Sequence, residues 1–213
     1  KGETGFGSWG GYLNFPSLHE GAEIWYRVNV YYPTGWDFSC GGCTEGMKFM
    51  RLHTLSAVNG NEGYHTILIQ GGTTGGVTNV GTEVSGAFFR NNTVSNFRGI
   101  GTPVVRENWH TYEIHLKVSS VAGQGIYRVW QDGVLIFEDI KTPTIRSATS
   151  KVSGTFLYTY WNNGAPKTQT SYADDIVITN EVPGRKDAAG NPYIGVGASI
   201  YIAPPKPPSS VSK

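Results

Sequence analysis

Apolar and polar residues alternate one by one along residues 109–118 of this chain. The apolar positions are Tyr112, Ile114, Leu116 and Val118, and the polar ones are Thr111, Glu113, His115 and Lys117. Because successive side chains of a strand point to opposite faces, the pattern predicts a strand with one core face and one solvent face. His115 is therefore expected to be an ordinary surface histidine.

Similar segments recur about every ten to twenty residues, which is the spacing of a β-sandwich. The predicted strands are 23–32, 47–54, 64–70, 86–90, 109–118, 126–139, 152–161 and 172–179. Asp132 and Gly133 divide the segment 126–139, and an Asp-Gly pair favours a two-residue hairpin turn. The sequence thus predicts an all-β, antiparallel sandwich.

Composition supports strands and excludes several classes of protein. The chain has 52 Val, Ile and Thr residues against 21 Leu, Ala and Met residues, with 29 Gly residues that suit tight turns. Charged residues make up 15% and the net charge is +1, so no basic arm for nucleic acid and no acidic tail is present. No apolar run reaches the roughly 18 residues of a membrane-spanning helix.

The sequence divides into three parts. Residues 1–180 are predicted to form the sandwich, and residues 181–203 an extension in which 193–203 adds an edge strand. Residues 204–213 are rich in Pro and Ser and read as a linker, so further domains are expected. The chain opens without a leader sequence, which suggests a mature or excised module that is secreted or displayed on a surface.

Cys40 and Cys43 are the two cysteines and lie in the sequence SCGGC. A local disulfide is the favoured interpretation for an extracellular module. Unpaired thiols, half of a metal site and a redox motif stay open as alternatives.

Segment 23–32 has an unusual polar face. Trp25, Arg27, Asn29 and Tyr31 share one parity, opposite to the apolar parity of the same strand. Aromatic rings stack on the C–H faces of sugars, and polar groups bind their hydroxyls, so this face is a candidate glycan platform. Loops that simply cover the aromatic rings are the alternative.

Candidate catalytic side chains are spread over several predicted strands. If segment 47–54 is regular, Arg51 and His53 share one face and Lys48 lies on the other, although a bulge would break this relation. The remaining candidates are His65 and Gln70 on the next strand, Arg90, Tyr158 and Tyr160. Structural roles are the alternative: Arg51 paired with Glu45 or Glu62, histidines bonded at strand ends, and tyrosines used for packing.

Five segments carry a resemblance to a known family: EIWYRVNVYYPTGWDF, GMKFMRLHT, NWHTYEIHLKV, GIYRVWQDGVLIFED and YTYWNNGAPKTQTSYADDIVIT. Their order resembles the concanavalin A-like jelly rolls. Within that group it is similar to the polysaccharide lyases of the glucuronan and alginate lyase type. The resemblance spans about residues 20–180.

The resemblance implies β-elimination at a 4-linked uronic acid, with no cofactor for catalysis. Arg51 or Gln70 would offset the substrate carboxylate, and Lys48 or Arg90 would bind the acidic polysaccharide, with Gln70 and Arg90 suggested only by residue type and strand location. The platform of Trp25, Arg27 and Tyr31, which is inferred from its shared parity, would add to this binding. His53 or His65 would act as base, and Tyr158 or Tyr160 as acid. The chain differs from the family pattern at Met47 and at Phe49-Met50, beside Lys48.

Asp174 and Asp175 are neighbours on the last predicted strand and point to opposite faces. A buried carboxylate needs a partner or a cation. Hydrogen bonds to backbone amides are the favoured interpretation, and a structural Ca²⁺ shared with Glu3 or Glu23 is the alternative.

Two other functions stay open besides the lyase. A carbohydrate-binding or adhesin module would bind glycans without turnover, and a structural domain would bind none. A retaining glycoside hydrolase is disfavoured, since no strand carries the two alternating glutamates that such enzymes use.

Overall fold

The computed structural model describes residues 11–39, 46–57, 60–84, 98–161 and 164–197. Within these ranges the chain folds into strands and turns without a helix, so none there could cross a membrane. Two antiparallel sheets pack face to face, and a third, two-stranded sheet lies near the end of the described chain. The predicted all-β sandwich is confirmed.

Sheet A has six strands in the order β1, β10, β3, β4, β5, β6. Their bounds are Gly11–Leu18 for β1, Met47–Ser56 for β3, Gly60–Gly71 for β4, Gly76–Val84 for β5, Arg98–Val104 for β6 and Lys151–Trp161 for β10. The N-terminal strand therefore pairs with a strand from the far end of the chain. This pairing brings β1 to the edge of the sheet beside β10 and one strand away from β3.

Sheet B has five strands in the order β11, β2, β7, β8, β9. Their bounds are Glu23–Tyr31 for β2, Trp109–Lys117 for β7, Ile126–Gln131 for β8, Val134–Asp139 for β9 and Tyr172–Thr179 for β11. Asp132 and Gly133 join β8 to β9 with φ angles of 52° and 82°. These positive angles are those of the tight hairpin turn that the Asp-Gly pair predicts.

The hydrophobic core lies between the two sheets. Alternate residues of β2 and β7, among them Tyr26, Val28 and Ile114, face Leu52 and Ile67 of sheet A across it. The residues of β2 and β7 that face the core are thus the alternate apolar residues seen in the sequence. Trp36 and Phe38, in the loop after β2, extend the core to Trp161 at the end of β10.

Three strands of the two large sheets were not predicted: β1, β5 and β6. Their sequences, GYLNFPSL, GVTNVGTEV and RGIGTPV, contain Gly or Pro, which weaken the strand pattern. Pairing with neighbouring strands overrides this weak local preference. The predicted strand 86–90 lies outside the described residues.

Residues 185–197 form a strap across the outer face of sheet B. The strap contains β12, Arg185–Lys186, and β13, Pro192–Tyr193, which pair only with each other. The sequence predicts an edge strand over 193–203, of which residues 193–197 are described. These residues add no strand to either large sheet. The strap instead lies over those side chains of β2 and β7 that the sequence predicts to face solvent.

The prediction of a solvent face on β7 is wrong because the strap covers it. Glu113 and His115 are each 1% exposed. The Glu113 carboxylate accepts hydrogen bonds from the backbone N–H groups of Ile194 and Gly195, at 2.6 and 2.9 Å. Polar residues at these positions are therefore partners of the strap backbone.

Candidate active site

The outer face of sheet A brings together the side chains of Arg51 and His53. In the register of the sheet, Arg51 lies between Phe156 of β10 and Thr66 of β4, and His53 lies between Gly154 and Tyr64. Residues paired across antiparallel strands share a face, so these side chains form one surface. The prediction that Arg51 and His53 share a face is confirmed.

A β-bulge at Phe49 changes the position predicted for Lys48. Lys48 pairs with Leu68 of β4, and the register then shifts before Met50 pairs with Ile67. Leu68 has the same parity as Thr66, the partner of Arg51. The extra residue therefore moves Lys48 to the face of Arg51, and the regular-strand expectation of opposite faces is wrong.

Tyr64 lies against both Arg51 and His53. The guanidinium carbon of Arg51 is 3.7 Å from the centre of the Tyr64 ring, in a cation–π contact. The rings of His53 and Tyr64 stack with centroids 4.8 Å apart and an interplanar angle of 15°. Arg51 is only 2% exposed, so the surrounding structure fixes the orientation of its charge.

His53 is held in a neutral state by its surroundings. Burial lowers its pKa below the ordinary value, and the positive charge of Arg51 lowers it further, against the opposite effect of Asn61. Nε2 lies 3.0 Å from Oδ1 of Asn61, and Nδ1 lies 3.4 Å from the hydroxyl of Tyr12. A neutral imidazole can accept a proton, which is the property that a general base needs.

Tyr12 completes the group of side chains that we call the outer-face cluster: Tyr12, Arg51, His53, Tyr64 and Phe156. The Tyr12 ring packs on Phe156 with centroids 4.4 Å apart. It also lies over Gly154, where an added Cβ would come within 2.3 Å of the phenolic oxygen. Gly154 thus leaves the space that the Tyr12 ring occupies.

Gln70 lies on the same face but away from His53. It is six residues along β4 from Tyr64, the partner of His53, which corresponds to about 20 Å at the usual rise of a strand. Its Oε1 accepts a hydrogen bond of 2.9 Å from Nδ2 of Asn79. The two predicted candidates therefore lie toward opposite ends of the face, and Lys48 is a cation near the Gln70 end.

His65 is not part of the outer-face cluster. It is fully buried between the sheets, where Nε2 lies 2.8 Å from the carbonyl oxygen of Thr144 and its ring packs on Tyr127. Burial lowers the pKa of His65 to about 4. The sequence places His65 next to Tyr64, and the alternation of strand side chains sends these two residues to opposite faces.

The predicted platform of Trp25, Arg27 and Tyr31 lies on the outer face of sheet B, beneath or beside the strap. Trp25 is 0% exposed, stacks on His115, and donates its indole N–H to the carbonyl of Pro192. Tyr31 is half-buried. The alternative that other parts of the chain cover these rings is correct for Trp25.

Arg27 binds the strap and the last strand of sheet B rather than facing solvent. Its Nη1 donates to the carbonyl of Gly195 at 2.8 Å, and its Nη2 forms an ion pair of 2.5 Å with Asp175. Asp175 has a φ angle of 52°, within the bulge between Asp174 and Val177. Asp174 is exposed and accepts a hydrogen bond from the backbone N–H of Asp175.

The predicted calcium site at Asp174 and Asp175 stays a prediction. Among the described residues, no group of three or more His, Cys, Asp or Glu side chains could hold a metal ion. Glu23, one proposed partner, instead lies 2.8 Å from Nε2 of His115. Glu3 lies outside the described residues.

Several predicted site residues cannot be placed in the cluster. Cys40, Cys43 and Arg90 lie outside the described residues. The backbone of Tyr160 pairs with that of Lys48, which places the end of β10 beside β3. The side chains of Tyr158 and Tyr160 lie outside what the structure describes.

The sequence did not single out Tyr12, a member of the outer-face cluster, or Asn61, which lies beside the cluster. Tyr12 belongs to a strand that contains Pro16, and a proline argues against a strand unless it lies at an edge, as β1 does. Tyr12 and Asn14 alternate with Leu13 and Phe15, which was the available signal for this strand.

Comparison with known proteins yields structural matches alone, since no family model and no curated protein sequence matches the chain. An alginate lyase from a Chlorella virus is 15% identical with a TM-score of 0.57, over 76% of this chain and 72% of that one. An endo-beta-1,4-glucuronan lyase from the fungus Trichoderma reesei is 13% identical with a TM-score of 0.53, over 84% and 78%.

An alginate lyase from Aplysia kurodai is also similar, at 12% identity and a TM-score of 0.52, over 77% of this chain and 72% of that one. Identities this low relate the proteins by architecture and not by site residues. Together with the sheet order, they show that this chain has the jelly-roll fold found in alginate and glucuronan lyases.

Proposed function

We propose that this protein is a polysaccharide lyase that cleaves a 4-linked, uronic-acid-containing glycan by β-elimination. One observation carries the proposal: a neutral histidine, His53, lies beside the cation Arg51 on the outer face of sheet A. The fold, which is shared with alginate and glucuronan lyases, supports it.

The reaction needs the charge of the substrate carboxylate to be offset. The C5 proton of a uronic acid becomes acidic enough to remove when a cation or hydrogen-bond donor stabilises the developing enolate. Arg51 supplies a fixed positive charge on this face, and Lys48 supplies a second. Gln70, held by Asn79, offers an amide donor toward the Lys48 end.

The base is His53 in this proposal. Its lowered pKa keeps the imidazole unprotonated at neutral pH, so it can accept the C5 proton. The C5–H electron pair then forms the C4=C5 double bond, and the C4–O4 bond breaks. A tyrosine hydroxyl donates the proton that the leaving oxygen takes, with Tyr158 and Tyr160 as the candidates from the resemblance.

The face is long enough for a polymer. His53 and Gln70 are separated by about 20 Å along the strands, a distance that several sugar units would span. The proposal therefore concerns an acidic polysaccharide, a substrate too large to enter a cell, and it locates the activity outside the cell.

The test is the ultraviolet absorbance of the unsaturated uronate product. The protein is incubated with glucuronan, alginate, pectate and glycosaminoglycans, each with and without Ca²⁺. We expect an increase on one of these polymers and a loss of at least about a hundredfold in kcat for His53→Gln. His19→Gln, which replaces an exposed histidine, is the matched control and should keep full activity.

A binding module without catalysis is the second candidate, favoured by the near-complete burial of Arg51 against Tyr64. A buried, stacked arginine can organise a binding face without reaching a reacting atom. Flat absorbance on every polymer, together with retention on a glycan array, would reject the lyase and support this alternative. Flat absorbance without retention would reject both.

A further inference from the structure

We infer that Tyr12, on the N-terminal strand β1, is the general acid that works with His53 and is reprotonated by it. This inference rests on the proposed lyase activity and assigns one of its steps. It names a residue that lies far in sequence from the β10 tyrosines considered above. Four observations about Tyr12, His53 and their neighbours carry it.

The first observation concerns which nitrogen of His53 carries the proton. Nε2 lies 3.0 Å from Oδ1 of Asn61, and a carbonyl oxygen can only accept a hydrogen bond. The proton of the neutral ring is therefore on Nε2, and the lone pair is on Nδ1. The nitrogen available to remove the C5 proton is thus Nδ1.

The second observation is that the Tyr12 hydroxyl lies next to this same nitrogen. The distance from the phenolic oxygen to Nδ1 is 3.4 Å, longer than an ordinary O–H···N hydrogen bond. Since the contact is loose, Nδ1 keeps its capacity to accept a proton from a substrate that approaches beside the phenol. The C5–H and C4–O4 bonds of one substrate can therefore reach the base and the hydroxyl together.

The third observation is that the protein fixes the phenol in this place. Phe156 packs on the ring, Gly154 leaves space for it, and Oγ of Ser153 lies 3.4 Å from its oxygen. All three contacts come from β10, which pairs with β1 through Tyr12 and Phe156. A fixed donor loses little entropy when the substrate binds, which favours catalysis.

The fourth observation is that Tyr12 is half-buried, so part of the residue remains open to a ligand. Arg51, which offsets the substrate carboxylate in the proposed reaction, lies on the strand between β10 and β4 and within the same cluster. The groups proposed to bind the carboxylate and to act as base are thus both on β3, and the proposed acid is on β1, with β10 between the two strands of this face.

The proton balance of the step closes within this pair. Nδ1 of His53 takes the C5 proton, the C4=C5 bond forms, and the C4–O4 bond breaks as Tyr12 gives its proton to O4. The pair is left as imidazolium and phenolate, in contact with each other. Transfer of the proton from Nδ1 to the phenolate oxygen then restores both groups, and no oxidant, reductant or further reactant is needed.

Tyr12→Phe tests the inference because it removes the acid and keeps the ring packing. We expect kcat to fall by about a hundredfold or more while KM changes little, since the lost interaction belongs to the transition state. Tyr193→Phe, on the strap, is the matched control and should leave kcat unchanged.

A second measurement does not depend on turnover. Nitrogen NMR of the imidazole should show the Nε2–H tautomer for His53, and Tyr12→Phe should raise the pKa of His53, because the neutral ring loses a hydrogen-bond donor at Nδ1. An Nδ1–H tautomer, or an unchanged pKa in the variant, would overturn the inference.

The outcomes separate this inference from the proposed function. An active wild-type protein with a fully active Tyr12→Phe variant would overturn the role of Tyr12 and leave the lyase intact. An inactive wild-type protein on every polymer would overturn both. An active wild type, a crippled Tyr12→Phe variant and the expected tautomer would support both.

Discussion

Four histidines on the two sheets show how neighbouring groups set the charge of one residue type. Burial lowers the pKa of His53, His65 and His115, and the Arg51 cation adds to this effect at His53. At His110, burial acts in the same direction, but the bond and the charge of Asp132 outweigh it and raise the pKa. His53 differs from the other two histidines with lowered pKa values because it is only partly buried.

Gly154→Ala is a residue-scale prediction about the packing of Tyr12. An added Cβ would lie 2.3 Å from the Tyr12 oxygen, so the phenol must move away from its present place. We expect lyase activity to fall by tenfold or more, with a smaller loss of thermal stability, because Tyr12 lies at the sheet edge. Gly11→Ala, where a Cβ would contact nothing within 4 Å, is the control. Equal activities of the two variants would contradict the prediction.

Burial of His115 should make the free energy of unfolding depend on pH. Its Nε2 bonds Glu23, and its buried Nδ1 has no hydrogen-bond partner among the described residues, so protonation would create an unpaired buried N–H there. Burial lowers the pKa from 6.5 to about 4, so the unfolded chain binds the proton first. Stability from the neutral ring is present above pH 6.5 and is lost as the pH falls toward 4, by about 3 kcal/mol.

The measurement is urea unfolding at a series of pH values. His115→Gln should flatten the loss of unfolding free energy between pH 6.5 and 4, whereas exposed His19→Gln should keep the wild-type slope. His65 acts in the same direction, so some slope will remain in the variant. A slope in His115→Gln equal to that of the wild type would refute the assignment.

At the scale of elements, the strap of residues 185–197 determines what sheet B presents to solvent. It is held by polar side chains of sheet B: Trp25, Arg27, Glu113 and Trp130 all bond to it. Alternation in β2 and β7 correctly separates core positions from the others. It cannot tell a solvent face from a face covered by backbone, since both require polar partners.

The same limit explains which parts of the candidate site the sequence could predict. The shared face of Arg51 and His53 is predicted by strand alternation, which depends on local sequence alone. Tyr12 lies 41 residues from His53, and its approach depends on the pairing of β1 with β10. The position of Lys48 depends on the bulge at Phe49, for which the segment MKFMRLH gives no Gly or Pro signal.

Glu113→Ala is the prediction for the strap. In this variant the backbone N–H groups of Ile194 and Gly195 lose their acceptor. The strap buries the Glu113 carboxyl, and this burial raises its pKa to about 7. We expect amide hydrogens of 185–197 to exchange at least tenfold faster and stability to fall by roughly 3 kcal/mol.

Hydrogen exchange with mass spectrometry measures this effect directly on strap peptides. Glu181→Ala removes an exposed carboxylate just before the strap and should leave exchange unchanged. Unchanged exchange in Glu113→Ala would show that other contacts suffice to hold the strap.

At the scale of the whole molecule, a buried chain of hydrogen bonds joins the two sheets. Oγ1 of Thr78 on β5 donates to Oε1 of Gln131 on β8 at 2.6 Å and lies 3.1 Å from the hydroxyl of Tyr112. Gln131 in turn donates to the carbonyl of Pro103 on β6 at 2.8 Å. The polar chain crosses the core and fixes the position of one sheet relative to the other.

Thr78→Val tests the importance of this connection. Valine has nearly the same shape, so the change removes the hydroxyl and leaves the Gln131 oxygen without its donor. We expect the free energy of unfolding to fall by about 1–3 kcal/mol, measured by urea unfolding. Thr74→Val, at an exposed loop position, should change it by less than about 0.5 kcal/mol.

The pairing of β1 with β10 and the late position of the strap also have a consequence for synthesis on the ribosome. Strand β1 emerges first, yet its partner, Lys151–Trp161, leaves the ribosome about 140 residues later. Trp25 and Arg27 can bond to the strap only later still, after Pro192 and Gly195 have been synthesised. The nascent chain thus carries an unpaired β1 and an uncovered Trp25 while most of the described domain is synthesised, and nearly all of that domain must be made before either is protected.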